Sequence, residues 1–345
     1  MADAGTLQTT FGGGLRSGPT LDAALTVTGG IAVCGFLLAT STTIAGGAPG
    51  TFDHALLAFG ILSAGVLLLA TGTTGSGWIQ RGYRPAALGV LLAIVGLGGD
   101  LAWTATFEQE AGIATAVRPT VLLLALGVGL VAMGPFAAAW RRPTVPIGWH
   151  GVPIPLSVAF GYVTVMTATA FAHPFVAVGD PASGVPAILL QAFLLAGVVA
   201  LFLARFEPGP GAFTVLLGIS GLAAIPLGSS VAVAEVAIFV GVALDGVNLL
   251  FDPSPARKMA FRGFVSLTGA AIPIVSFLAA QGVGSVSWPL AVTSGSILLG
   301  GIAGWLVSYL VLTPTVPAGT TRGTVPTLAG TGAQQGQQEP AERAN

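Results

Sequence analysis

Charge is what this chain has least of. Its 345 residues include 12 basic and 13 acidic side chains, 7% of the total, where water-soluble domains carry roughly 25%. That leaves too little polar surface to face water and argues against a soluble globule. The two signs nearly cancel, for a net charge of −1, so there is no basic field for nucleic acid and no acidic field for a cationic partner. Cysteine is almost absent. Cys34 stands alone inside the first apolar run, which excludes an intrachain disulfide and a thiolate metal cluster. Walker A, strand-to-helix GxGxxG, GxSxG and CxxCH motifs are missing too, which argues against motor ATPases and against flavin, nicotinamide or c-type haem enzymes.

What is present is apolar: 53% hydrophobic residues, 51 glycines and a mean hydropathy of +0.88. A bilayer core about 30 Å thick needs about 20 apolar helical residues, each rising about 1.5 Å. Ten stretches meet or approach that length: 21 to 44, 53 to 73, 84 to 106, 118 to 140, 152 to 175, 184 to 204, 211 to 227, 229 to 251, 259 to 281 and 288 to 312. The runs do not alternate polar and apolar residues, so they read as helices rather than barrel strands. The seventh is short, glycine-rich and interrupted by Pro226, which suits a tilted or re-entrant segment. The chain is therefore expected to be an all-α, polytopic transmembrane helix bundle of about ten spans. Residues 1 to 20 form a polar N-terminal segment, 21 to 312 the transmembrane domain, and 313 to 345 a tail too poor in apolar residues to order itself.

Basic residues in short loops stay cytoplasmic. Arg16, Arg81, Arg84, Arg141, Arg142, Arg205, Arg257, Lys258, Arg262, Arg322 and Arg343 all fall on alternate connections, and Arg118 alone falls on the other side. Both termini are then cytoplasmic. Trp78, Tyr83, Trp140, Trp149, Trp305 and Tyr309 flank the same ends, as an interfacial aromatic belt would. The expected setting is the cell membrane, with the lipid bilayer and other membrane subunits as partners and no nucleic acid.

With so few charges, their depth is informative, because a carboxylate in hydrocarbon costs several kcal/mol unless paired, protonated or bound to a cation. One group gathers on the outer side. Asp53 and His54 open span 2, Asp100 lies near the outer end of span 3, and Glu108 and Glu110 follow it. Arg118 opens span 4, and His173 closes span 5. Asp100, Thr104 and Glu108 recur every four residues and so share a helix face. The functional reading is an outward-facing pocket with His54, Asp100, Glu110 and His173 as ligands to a divalent transition metal; imidazole with carboxylate suits Zn, Cu or Fe. The structural alternative has Asp53 capping its helix, Arg118 neutralising Glu108 or Glu110, and Asp100 bonding a neighbouring helix. A second group lies on span 8, where Glu235, Asp245, Asn248 and Asp252 form a ladder. Glu235 and Asp245 are separated by about 15 Å along the axis. It reads either as a proton or cation path, with Gln191 as a partner from span 6, or as a structural set in which Asp245 and Asp252 pair with Arg257 or Arg262 and Glu235 bonds a neighbouring helix.

At Phe52-Asp53-His54-Ala55-Leu56-Leu57, Gly99-Asp100-Leu101-Ala102-Trp103 with Glu110, Arg118-Pro119-Thr120 and Phe171-Ala172-His173-Pro174, the chain resembles an uncharacterised family of prokaryotic multispan membrane proteins over about residues 25 to 312. The resemblance implies a cluster of histidines and carboxylates. Where its relatives carry two further histidines, this sequence has Thr104 and Val121. No activity comes with it. Two function classes remain: a membrane protein whose outer pocket binds a metal or small ligand, or a proton- or cation-coupled transporter or channel using the intramembrane carboxylates.

The sidedness is testable by fusion. A reporter active only outside the cytoplasm is expected to be active when fused after Glu110 and silent after Arg142; the opposite pattern would place the proposed pocket inside.

Overall fold

Within hydrocarbon no water is at hand to bond a backbone N–H or C=O, and a helix satisfies nearly all of them within one segment. The computed structural model describes residues 18–47, 50–72, 79–107, 117–143, 148–169, 181–283 and 288–312. Among them are eleven α-helices: α1 Gly18–Ile44, α2 Thr51–Gly72, α3 Arg84–Thr106, α4 Pro119–Ala132, α5 Gly134–Trp140 and α6 Pro153–Ala168. They continue with α7 Pro181–Arg205, α8 Ala212–Ala224, α9 Val231–Phe251, α10 Lys258–Val283 and α11 Leu290–Val311. The tail expected from 313 to 345 lies outside the described residues.

Seven of these helices are long and apolar enough to cross a bilayer, or eight if α4 and α5 count as one broken span. The stretch expected as a single span over 118–140 is in fact two helices meeting at 50°. Pro135 has no N–H, and its ring collides with the carbonyl one turn earlier, so a straight helix cannot pass through it. Ser157 of α6 repairs the break from outside. Its hydroxyl donates to the Ala132 carbonyl at 2.6 Å and accepts from the Phe136 N–H at 3.3 Å. The seventh stretch is as short as its sequence suggests. α8 starts after Gly211, whose φ of 90° favours glycine, and has only 13 residues.

Successive helices pack as hairpins wherever glycines allow backbones to touch. A Cβ on Gly60 of α2 would lie 2.5 Å from the Ala32 nitrogen of α1, and one on Gly96 of α3 would lie 2.6 Å from the Leu124 nitrogen of α4. Gly241 of α9 meets the Thr214 backbone of α8, and Gly300 of α11 meets the Gly269 carbonyl of α10, equally closely. Aromatic contacts join the ends of the later helices. The Phe213 and Phe264 rings are 4.9 Å apart, Arg262 stacks 3.8 Å over Tyr309, and Phe277 lies 5.4 Å from Trp288. Large apolar side chains also point away from the bundle: Phe239 is 79% exposed and Leu250 80%. Such a surface suits lipid rather than water.

Two glycines on α3 separate packing from propensity. Gly96→Ala is expected to destabilise the protein by about 1 to 3 kcal/mol through overpacking. Gly98→Ala, with nothing within 4 Å of the added methyl, should leave stability unchanged or slightly raised. Thermal unfolding of the two variants in detergent checks the contrast.

Candidate functional site

The loop into α2 turns on Asp53. Its Oδ2 accepts the Gly50 N–H at 3.1 Å, reaching back from the first turn as the carboxylate of a capping box does. The sequence offered this role as the structural alternative, and the buried Asp53 carboxylate takes it. One residue on, the His54 ring sets Nδ1 3.3 Å from the Gly50 carbonyl. Facing a carbonyl, Nδ1 acts as the donor, which leaves Nε2 with its lone pair as ligand or base.

His54 and Asp100 line one cavity of about 40 Å³. Its walls come from the end of α1 with Thr40 and Thr43, the start of α2, the last part of α3, and the start of α4 with Val121 and Leu124. Asp100 is braced across the α3/α4 hairpin, where the Thr120 hydroxyl donates to its Oδ1 at 3.4 Å. Arg118, buried at the N-terminus of α4, adds positive charge at this end of the helix pair. At the end of α3 the Trp103 and Phe107 rings pack with centroids 4.6 Å apart, tilted by 39°.

Of the expected metal ligands, then, His54 and Asp100 share a cavity. Glu110 and His173 lie outside the described residues, as does Glu108. Among the described residues no three His, Cys, Asp or Glu side chains gather as a metal site. Val121 is part of the wall.

The ladder on α9 divides between two faces. Asp245 is buried and accepts the Phe213 N–H at 3.1 Å, the Thr214 N–H at 2.9 Å and the Thr214 hydroxyl at 2.5 Å. It therefore holds the N-terminus of α8, where unpaired N–H groups and the helix dipole favour a negative charge. Asn248 donates to the Pro208 carbonyl at 3.2 Å, tying down the approach to the same helix. Glu235 lies on the exposed face with Phe239 and Val242. Asp252, in a left-handed conformation at the end of α9, reaches Arg257 at 3.5 Å.

A further cluster went unread in the sequence. Asp22 of α1, 1% exposed, is bound by both terminal nitrogens of Arg142 and accepts the Tyr83 hydroxyl at 2.6 Å. Arg142 also donates to the Tyr83 oxygen at 2.8 Å. Burial, then the charge of Asp22, pushes the Tyr83 hydroxyl well above the ordinary tyrosine range. Arg205, closing α7, donates to the carbonyls of Trp140 and Arg142 at 3.3 and 2.8 Å. These bonds bring together the starts of α1 and α3 and the ends of α5 and α7. Asp22 stands at the very start of the first apolar run, and only the earlier beginning of α1 at Gly18 puts it one turn inside a helix. Tyr83 and Arg142 carried only an interfacial signal.

No family model, curated protein or solved structure shows a significant match to this chain.

The Asp22 cluster carries an asymmetric prediction. Breaking a buried ion pair costs about 3 to 5 kcal/mol. Arg142→Met, which strands the fully buried carboxylate, should therefore cost more than Asp22→Asn, which strands a guanidinium whose side chain remains 23% exposed to solvent. Chemical unfolding of both single variants and the double variant measures the order, with the double expected to recover part of the loss.

Proposed function

We propose that this is an integral protein of the cell membrane whose helices cross the bilayer about ten times, with both termini cytoplasmic, and whose outward pocket at His54 and Asp100 binds a metal or small ligand, a divalent transition metal first of all. Sidedness is supported by the way charge divides between the two ends of the first helices. The Asp22, Tyr83, Arg142 and Arg205 cluster ties together the ends that carry the arginines, and arginine-bearing loops remain inside. The His54 pocket occupies the opposite ends of α1, α2, α3 and α4, and therefore opens outward. The short helices α6 and α8 count as crossings in this reading, because only then do the basic connections fall on one side.

One observation carries the binding role: an imidazole and a carboxylate 46 positions apart in the sequence line the same cavity. With Nδ1 of His54 turned to the Gly50 carbonyl, Nε2 is the nitrogen free to bind, and Asp100 supplies an oxygen. Two donors do not complete a coordination shell, and Glu110 and His173 are proposed as the remaining ligands. That set suits Zn, Cu or Fe. The transport alternative draws less support. Asp245 already has both oxygens engaged by α8, and Glu235 points away from the bundle.

Elemental analysis of protein purified from metal-replete cells tests the proposal. One Zn, Cu or Fe per chain is expected, falling to background in His54→Ala and in Asp100→Asn. Metal-free wild type, with no binding of added Zn by calorimetry, would overturn it.

A further inference from the structure

α10 opens with positive side chains where its own dipole is positive. Unpaired N–H groups at a helix start favour an acid, yet the first turn of α10 contains none. Instead Arg257 precedes the helix, Lys258 begins it and Arg262 follows one turn on. Asp252 lies 3.5 Å from Arg257, and both of those side chains are mostly exposed. Residues 252–262 thus set three positive charges against one negative.

Packing, not a counter-ion, holds Arg262. Lys258, Arg262 and Ser266 recur every four residues and share a face of α10. That face meets α11: the Ser266 hydroxyl donates to the Gly301 carbonyl at 2.8 Å, and a Cβ on Gly304 would collide with the Val265 carbonyl. With the backbones fixed there, Tyr309 comes about 7.5 Å further along α11, and its ring lies 3.8 Å from the Arg262 guanidinium. Trp305 flanks that ring, the two centroids 6.3 Å apart. The stacking sets the plane of the guanidinium but satisfies none of the N–H groups lying in that plane. Nε of Arg262 is buried and meets no acceptor, and no carboxylate among the described residues pairs with this side chain.

An unmet donor on a half-buried cation is costly until an anion arrives, and a phosphate matches the flat guanidinium with two oxygens at once. The neighbouring side chains indicate what carries that phosphate. Met259, Leu306 and Leu310 are exposed on the adjoining turns, on helices long and apolar enough to cross a bilayer. We propose that the α10/α11 hairpin binds the head of an anionic phospholipid, Arg262 donating to its phosphate oxygens, Arg257 and Lys258 adding charge, and the acyl chains lying on Met259, Leu306 and Leu310. A zwitterionic lipid brings a cation of its own, which the three basic residues repel. Inorganic phosphate would gain the charged contacts and none of the apolar ones. The inference needs a membrane around the helices but neither the His54 pocket nor a metal.

Native mass spectrometry of the full chain in detergent, titrated with phosphatidylglycerol or with phosphatidylcholine, gives a direct test. Phosphatidylglycerol is expected to bind about tenfold more tightly, since each nearby basic residue favours an anionic lipid by about 1 kcal/mol. Arg262→Gln should weaken it about tenfold, the worth of one hydrogen bond from a charged donor. Tyr309→Leu removes the ring beneath the guanidinium and should weaken it about threefold, whereas Tyr309→Phe keeps the ring and should bind like wild type. Tyr309 is 41% exposed, so its variants retain the fold and test the site even where Arg262→Gln does not. Arg84→Gln, at an exposed arginine opening α3, should change nothing. Equal affinity for the two lipids would overturn the proposal. So would an equal loss in Arg84→Gln and Arg262→Gln, the mark of diffuse attraction, or displacement of the lipid by excess inorganic phosphate.

Discussion

A carboxylate taken out of water must find donors inside the protein, because lipid supplies none. Three of the acidic side chains buried here meet that requirement in ways that also fix helix ends. Asp53 closes the first turn of α2 through Gly50. Asp245 binds two N–H groups at the start of α8. Asp22 holds Arg142 and Tyr83, and through them joins α1 to the segments that open α3 and follow α5. Asp53 and Asp245 thus do two things at once, since the helix start each meets has unpaired N–H groups of its own. The relative heights of the helices follow from these few contacts, and the glycine-lined hairpins then hold the spacing between them.

That economy explains which parts of the fold the sequence reveals. Long apolar runs translate almost directly into helices, and the ends of α1, α3 and α9 fall within a few residues of the runs that predict them. The break between α4 and α5 was harder to see. Pro135 was visible, but proline is tolerated within α7 at Pro186 and within α10 at Pro273. Beside Pro135 stands Ser157, a residue of another helix that takes up the Ala132 carbonyl and the Phe136 N–H, the pair that the break separates. Hydropathy along one segment carries no trace of such a partner.

The candidate site was legible to a similar extent. Depth alone grouped His54 with Asp100, and they do line one cavity. The same rule applied to Asp245 offered either a conduction path or a pairing with Arg257 or Arg262, whereas the carboxylate serves a helix N-terminus contributed by residues more than thirty positions earlier, a pairing that no local pattern encodes. A second cavity, where Tyr162, Gln191, Ser220 and Ser276 stand among mostly apolar residues of α6 to α10, had the weakest signal of all. Neutral polar residues in a span cost little, so their presence in the sequence singles nothing out until the side chains are seen to converge.

The placement of that cavity follows from helix length. A helix in contact with lipid has to match the hydrocarbon thickness, and the helices with the fewest buried residues, α3 and α11 with 22% of their apolar windows buried, have 23 and 22 residues. α6 and α8 have 16 and 13, and most of their residues are covered by other helices. Protein around them satisfies what lipid could not, so they are free to be short. Short helices surrounded by longer ones cannot fill the whole depth of the bundle. The space left over lies beside them, and Tyr162 and Met166 of α6 face Leu217, Ser220 and Gly221 of α8 across it. The His54 pocket has the opposite origin: it forms where α1 and α3 end and α2 and α4 begin, beside Asp53 and the crossing of α3 with α4. One cavity is thus a consequence of interior helices that stop early and the other of peripheral helices that reach the surface, which is why their polar groups differ, neutral in the first and ionisable in the second.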